Sequence, residues 1–309
     1  MAVTLNAIMV IAVPAFDKLD SISFDQLLAR QDPFGAARPL IDLHGVRLVT
    51  PAGLVKLAAA LHAIARDGRT PTITQIDDSV RTYLMRSGFV SIVTPVAEFD
   101  PPFPSHVPNT FERMRGSNPL LIEVTKLESG KALPQLLNQI VGVLNRRFKY
   151  PKYDAFDAAT AVSEIAQNTF DHNCGACGFL AMQVYGTGPK RFLEIGVSDF
   201  GDGVAATLMR NPKIGSIPSD GHAIRLATQL GTSAFDDPTR GTGLFHLLEI
   251  AFKHEGSVQI WSGRAKMRFR MDQKRGWEFT VPNLPGVHVA MTLRSKTSSH
   301  QRARKVDRK

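Results

Sequence analysis

At 309 residues, with 43% hydrophobic and 21% charged residues, the chain has ordinary globular composition and is long enough for two folded units, which excludes a disordered or fibrous protein. No apolar run reaches the roughly 18 residues that a membrane-spanning helix needs, and two cysteines exclude a disulfide scaffold and point to a reducing, cytoplasmic setting. The net charge of +9 is unevenly spread: residues 294–309 hold seven Lys/Arg and one Asp, +6, leaving only +3 for residues 1–293, so a solvated basic tail is expected rather than a nucleic-acid-binding body.

The first apolar segment lacks a basic leader, and residues 2–13 read as a strand rather than a signal peptide. A short helix is expected over Phe24–Arg30. An apolar strand then runs into a turn at Thr50–Gly53. Leu54 to Arg66 has apolar residues at helical spacing, and Asp67-Gly68 stops it. Residues 70–76 read as a strand and Asp78–Ser87 as a helix ending at Gly88. Such alternation implies a small sheet with helices packed on it, over residues 1–90. Residues 91–110 contain five prolines, each lacking a backbone donor, so residues 91–118 read as a linker.

A second unit is expected over residues 119–293. It has a strand at LLIEV, helices over 132–148 and 154–171, and strands over 179–185 and 191–198. A Gly/Asp/Ser/Pro-rich loop leads to a helix over Gly243–Lys253, and three short strands (257–262, 265–270, 287–293) finish it. The pattern is α+β, with helices on one side of a mostly antiparallel sheet.

Three pieces of this unit can carry chemistry. Glu164, Asn168 and His172 are spaced i, i+4, i+8 and share one helix face, while Ala161, Val162, Ile165 and Phe170 occupy the others. A solvated polar face is the plain alternative. Asp199 ends an apolar strand and is followed by Gly201 and Gly203, a spacing that lets backbone turn tightly and approach a ligand while the carboxylate accepts from an amine; a simple Asp/Gly turn has the same residues. Arg240-Gly241-Thr242-Gly243-Leu244 opens a helix, where exposed N–H groups and the helix dipole favour phosphate; a glycine N-cap is the bland reading.

Glu–x3–Asn–x3–His, Asp–x–Gly–x–Gly and Gly–x–Gly–Leu, in that order, resemble the motif series of the GHKL ATPases (gyrase, Hsp90, histidine kinase, MutL). SEIAQNTFDHN looks most like the anti-sigma-factor serine kinases. The resemblance implies a Bergerat-type two-layer α/β sandwich that binds ATP and Mg²⁺. It implies that Glu164 orients or deprotonates a nucleophile, and that Asn168 holds Mg²⁺ with His172 beside it. Asp199 would bind the adenine amino group between Gly201 and Gly203, and Arg240, Gly241, Thr242, Gly243 and Leu244 would meet the phosphates. Residues 204–240 would form a mobile lid. Relatives start the final strand with Gly-Thr; here it is Gly286-Val287, without the hydroxyl.

DLHGVRLVTPAGLVKLAAAL in the first unit is similar to the STAS domain, the anti-sigma-factor-antagonist fold, in which the Ser before a Gly is phosphorylated. That position is Ala52, which cannot accept phosphate, so no phosphoswitch in cis is expected. The function expected is a cytoplasmic signalling protein that binds Mg-ATP and either phosphorylates a partner protein, switches one without catalysis, or slowly hydrolyses ATP; the oligomeric state stays open, a homodimer included. Cys174 and Cys177 form a single CxxC, short of the four ligands of structural zinc, and His62 sits in an Ala-rich helical run rather than as a phosphoacceptor.

Overall fold

The structure, a computed structural model, describes residues 9–12, 17–30, 34–104, 121–130, 133–171, 177–229 and 243–295. Within these no helix is long and apolar enough to cross a membrane.

The N-terminal unit is built on a parallel sheet of β1 (Met9–Ala12), β3 (Pro39–Asp42), β5 (Thr72–Thr74) and β6 (Glu98–Asp100), with β2 (Lys18–Leu19) and β4 (Leu48–Val49) forming a separate pair. Parallel neighbours need crossovers. Helices α1 (Ser21–Arg30), α2 (Pro51–Arg66), α3 (Asp78–Arg86) and α4 (Phe89–Val93) supply them. α2 begins three residues before the expected Leu54, because Pro51 suits the first helical turn and Thr50 Oγ1 accepts from Gly53 N at 3.3 Å. α1 likewise begins at Ser21, ahead of the expected Phe24.

The expected linker starts too early. Val93 at the end of α4 is fully buried, and Glu98–Asp100 pairs with Thr72–Thr74 as the fourth strand. The prolines crowd only after Asp100, and a proline-rich window hid a strand just before them. Residues 105–118 of the linker lie outside the described residues, as do residues 2–8 of the first expected strand and 296–309 of the tail.

The second unit is a five-stranded antiparallel sheet in the order β10-β11-β9-β8-β7, from β7 (Leu121–Leu127), β8 (Gly178–Tyr185), β9 (Phe192–Asp199), β10 (Ser257–Arg270) and β11 (Gln273–Arg294). The three short final strands of the sequence reading are two long ones. Irregular pairing between Ser262 and Ala265 carries β10 through the expected turn without ending it. α5 (Leu133–Phe148), α6 (Lys152–Asp171) and α9 (Gly243–Lys253) cover one face, packing Leu144, Val162, Ile165 and Leu247 against Leu193, Ile195 and Val197.

The opposite face is closed by the N-terminal unit. α2 is buried from Pro51 through Ile64 and packs with Ile41 and Ile73 of the small sheet, with Phe179 and Ala181 of the large one, and with Phe200 just past β9. A helix apolar all round needs cover all round. Gly196 of β9 makes the approach possible: a Cβ there would lie 2.8 Å from Ala52 Cα.

Part of the loop expected to be a lid is ordered structure. α7 (Gly203–Leu208) and α8 (Asp220–Ala227) form a small cluster in which Val204, Leu208 and Ala223 pack with Ile214, Ile217 and Val287. Ser219 caps α8 by accepting from His222 N at 3.1 Å.

Candidate functional site

Asp199 is the last residue of β9. Alternation puts it on the same face as Leu193, Ile195 and Val197, the helix-covered face. It pairs with Gly178 of β8, where a Cβ would strike Thr169 Oγ1 of α6 at 2.3 Å. The C-terminal turns of α6 therefore lie against the strand end that carries Asp199.

The carboxylate is buried, and burial pushes its pKa up to about 7; backbone donors pull the other way, and Asp202 adds slightly to the rise. Oδ1 accepts from Gly201 N at 2.9 Å and from Val287 N at 3.2 Å, while Oδ2 has no hydrogen bond among the described residues. Gly286 has φ +94°, and a Cβ there would sit 2.2 Å from Asp199 O and 2.7 Å from Oδ1. Gly203, at φ +81°, lies against Ser262, whose Oγ accepts from Val204 N at 2.8 Å.

The second group lies between α6 and α9. A Cβ at Gly243, the first residue of α9, would be 3.1 Å from Glu164 Cβ and 3.7 Å from Asn168 Nδ2. Glycine thus lets the start of α9 close on the polar stripe. His246 Nδ1 is 3.5 Å from Glu164 Oε1. Leu244 is half-buried and packs on the main core.

The structure thus gathers Glu164, Asn168 and Gly243 in one place, and Asp199, Gly201 and Gly203 in another, with α6 reaching both. His172, Arg240, Gly241 and Thr242 lie outside the described residues. The sequence reading missed His246, Ser262 and the Val287 amide. His246 stands one helical turn past Gly243, a spacing that would have placed it near the stripe. A backbone donor leaves no mark in side-chain identity. Val287 N serves whatever its side chain, so the Thr hydroxyl missing here is not what braces Asp199.

Among the described residues no three His, Cys, Asp or Glu side chains cluster as metal ligands. Asn168 beside Glu164 suits a hard ion that takes only one or two protein oxygens and fills its shell from phosphates, as Mg²⁺ does. Cys177 is buried, and burial pushes its thiol up to about 11, which makes it inert packing; Cys174 lies outside the described residues. His62 packs on Phe179 with ring centroids 4.9 Å apart and bonds Ile92 O at 3.3 Å, and burial lowers its pKa, so it is a core residue.

No protein-family model and no curated protein matches the chain.

Proposed function

We propose that the chain is a Mg-ATP-binding protein of the GHKL type that acts on a partner protein, by phosphoryl transfer or by nucleotide-dependent switching. One observation carries the reading: a buried carboxylate at a strand end, braced through one oxygen by two backbone amides, with its other oxygen open to a donor. An exocyclic amine is such a donor. On this reading Gly201 and Gly203 wall the adenine, and phosphates lie toward the start of α9, an 11-residue helix whose N–H groups and dipole favour anions. Asn168 would hold Mg²⁺, which supplies charge neutralisation on the phosphates when bound. Glu164 accepts the proton of, or aligns, the attacking hydroxyl or water, and His246 fixes the carboxylate's orientation.

The N-terminal unit, read as STAS-like, is not the acceptor. Ala52 is buried against Gly196, and its N–H donates to Glu194 Oε1 at 3.1 Å. On this reading the acceptor or switched element belongs to another molecule.

Titration calorimetry with ATP, with and without Mg²⁺, is the test. Wild type should bind, and Asp199→Asn should lose about 1–3 kcal/mol through an unpaired adenine donor. Glu164→Ala should bind nucleotide and turn none over. Failure of the wild type to bind ATP, or Asp199→Asn binding as tightly, would remove the reading.

A further inference from the structure

The hairpin of β10 and β11 carries a second candidate surface, far along the ribbon from Asp199. Residues 264–279 hold six Lys/Arg against Asp272 and Glu278, a net +4. Since residues 1–293 total +3, everything in them outside this segment sums to −1. The modest net charge conceals one concentrated basic ribbon.

Its two faces differ. Met267 and Phe269 are buried on the inner face, which α8 covers: Arg225 of α8 pairs with Glu278 at 2.9 Å. On the outer face Arg268 stands opposite Trp277, and Lys266 opposite Phe279, and directly opposed residues share a face. Trp277 is 39% exposed and Phe279 44%, unusual for side chains of this size. They are two residues apart on one strand, about 6.8 Å. That is about twice the ~3.4 Å stacking interval of bases, room for one base between the rings.

The cations of the ribbon divide into engaged and unengaged ones. Lys266 is taken by Asp25 at 2.9 Å and Arg270 by Asp272 at 3.4 Å. Among the described residues the side chains of Arg264, Arg268, Lys274 and Arg275 form no ion pair. Arg268 Nε is also buried without a hydrogen-bond partner, a donor that a bound acceptor would satisfy.

We propose that the outer face of this hairpin binds single-stranded nucleic acid, with Trp277 and Phe279 stacking bases and Arg268 and its neighbours holding phosphates. Exposed rings with unpaired cations suit splayed bases on a charged backbone, and stacking is tolerant of sequence. An apolar partner would leave the guanidinium groups without acceptors.

The chain reports on this face itself. Trp277 is exposed while Trp261, the other tryptophan, is 2% exposed. Full-length protein is titrated with an oligothymidylate of about 12 nucleotides, within the usual span of such sites. Tryptophan emission should be quenched and binding should weaken with salt. Trp277→Ala should weaken binding, followed by anisotropy of a labelled oligonucleotide, about tenfold. Arg268→Ala should lower the slope of log affinity against log salt by about 0.7. Trp277 is exposed and Arg268 half-buried, and unchanged melting temperatures would confirm folded variants. Binding that survives both substitutions undiminished would assign it to the basic tail and overturn the proposal. Equal quenching by a duplex of the same length would overturn it too, as would a response to anionic lipid vesicles with none to the oligonucleotide.

Discussion

Asp199 combines burial with hydrogen bonds, and burial wins. Its pKa is about 7 when folded against an ordinary 3.8, so between those values the folded state holds a proton that the unfolded state has released. This group's contribution to stability therefore falls as pH rises through that window and stays lost above about 7. On the proposed function, nucleotide binding would run the other way. An amine donor needs the ionised carboxylate, so ATP affinity should rise by up to about tenfold per pH unit below 7 and level off above it. Calorimetry from about pH 5 to about pH 8 checks this, and in Asp199→Asn the slope should vanish. At this scale the shared face of Glu164 and Asn168 is legible in their four-residue spacing, and the close approach of α9 in the missing side chain of Gly243. It is silent about Val287 N, a backbone donor 88 residues from the carboxylate it braces.

At the scale of elements, α8 is tied to the hairpin by Asp220 as well as by Arg225, which reaches Glu278 and the Arg275 carbonyl. Asp220 Oδ2 accepts from Arg264 N at 2.8 Å and sits against Gly263, where a Cβ would come within 2.3 Å of it. Asp220→Ala should cost about 1 kcal/mol and speed hydrogen exchange of the amides in Asp220–Ala227, leaving β9 protected. Unchanged exchange in α8 would show that Arg225 and the cluster around Ala223 hold the helix without Asp220. Composition predicted a loop here, because Gly215, Pro212 and Pro218 dominate the count. The helix rests instead on a Ser219 cap and a few apolar contacts, too short a pattern to stand out from its surroundings. The alternation of elements in residues 1–90 and the helix-face order in 119–293 were legible because each is long enough to show its period. The short β6 was not, since it lies among the prolines of residues 91–110.

Across the whole molecule the two units meet at a buried ionic cluster. Asp25 of α1 accepts from Lys56 Nζ of α2 at 2.7 Å, from Lys266 Nζ at 2.9 Å and from Trp261 Nε1 at 2.9 Å, both of β10. Lys56 also lies 4.1 Å from the Trp261 ring centroid. Burial lowers Lys56 to about 8, with Asp25 opposing the shift. Since the unfolded chain binds that proton up to about 10.5, the stability cost of Lys56 is present below pH 8 and is relieved as pH rises from 8 to 10.5. Asp25→Ala strands two cations and should cost about 3–5 kcal/mol in denaturant unfolding, whereas Lys56→Met leaves Asp25 its other partners and should be nearly neutral. Equal losses in the two variants would mean that packing, not charge, holds the cluster. None of this was visible in the sequence, which offers Asp25, Lys56 and Lys266 as three unrelated polar residues.

Gly196 under Ala52 has a thermodynamic meaning. Backbone laid against backbone leaves no solvent layer to melt separately, and the apolar cluster of α2 draws Val124, Phe179, Phe200 and Leu284 into the same interior as Leu54 and Leu57. Neither half could expose its side of that contact without wetting a core. Scanning calorimetry should therefore show one transition whose calorimetric and van't Hoff enthalpies agree, not two. Two resolved peaks would reveal halves that melt separately. A single transition would make the boundary written in the prolines after Asp100 a division of the text only: the chain would unfold as one piece.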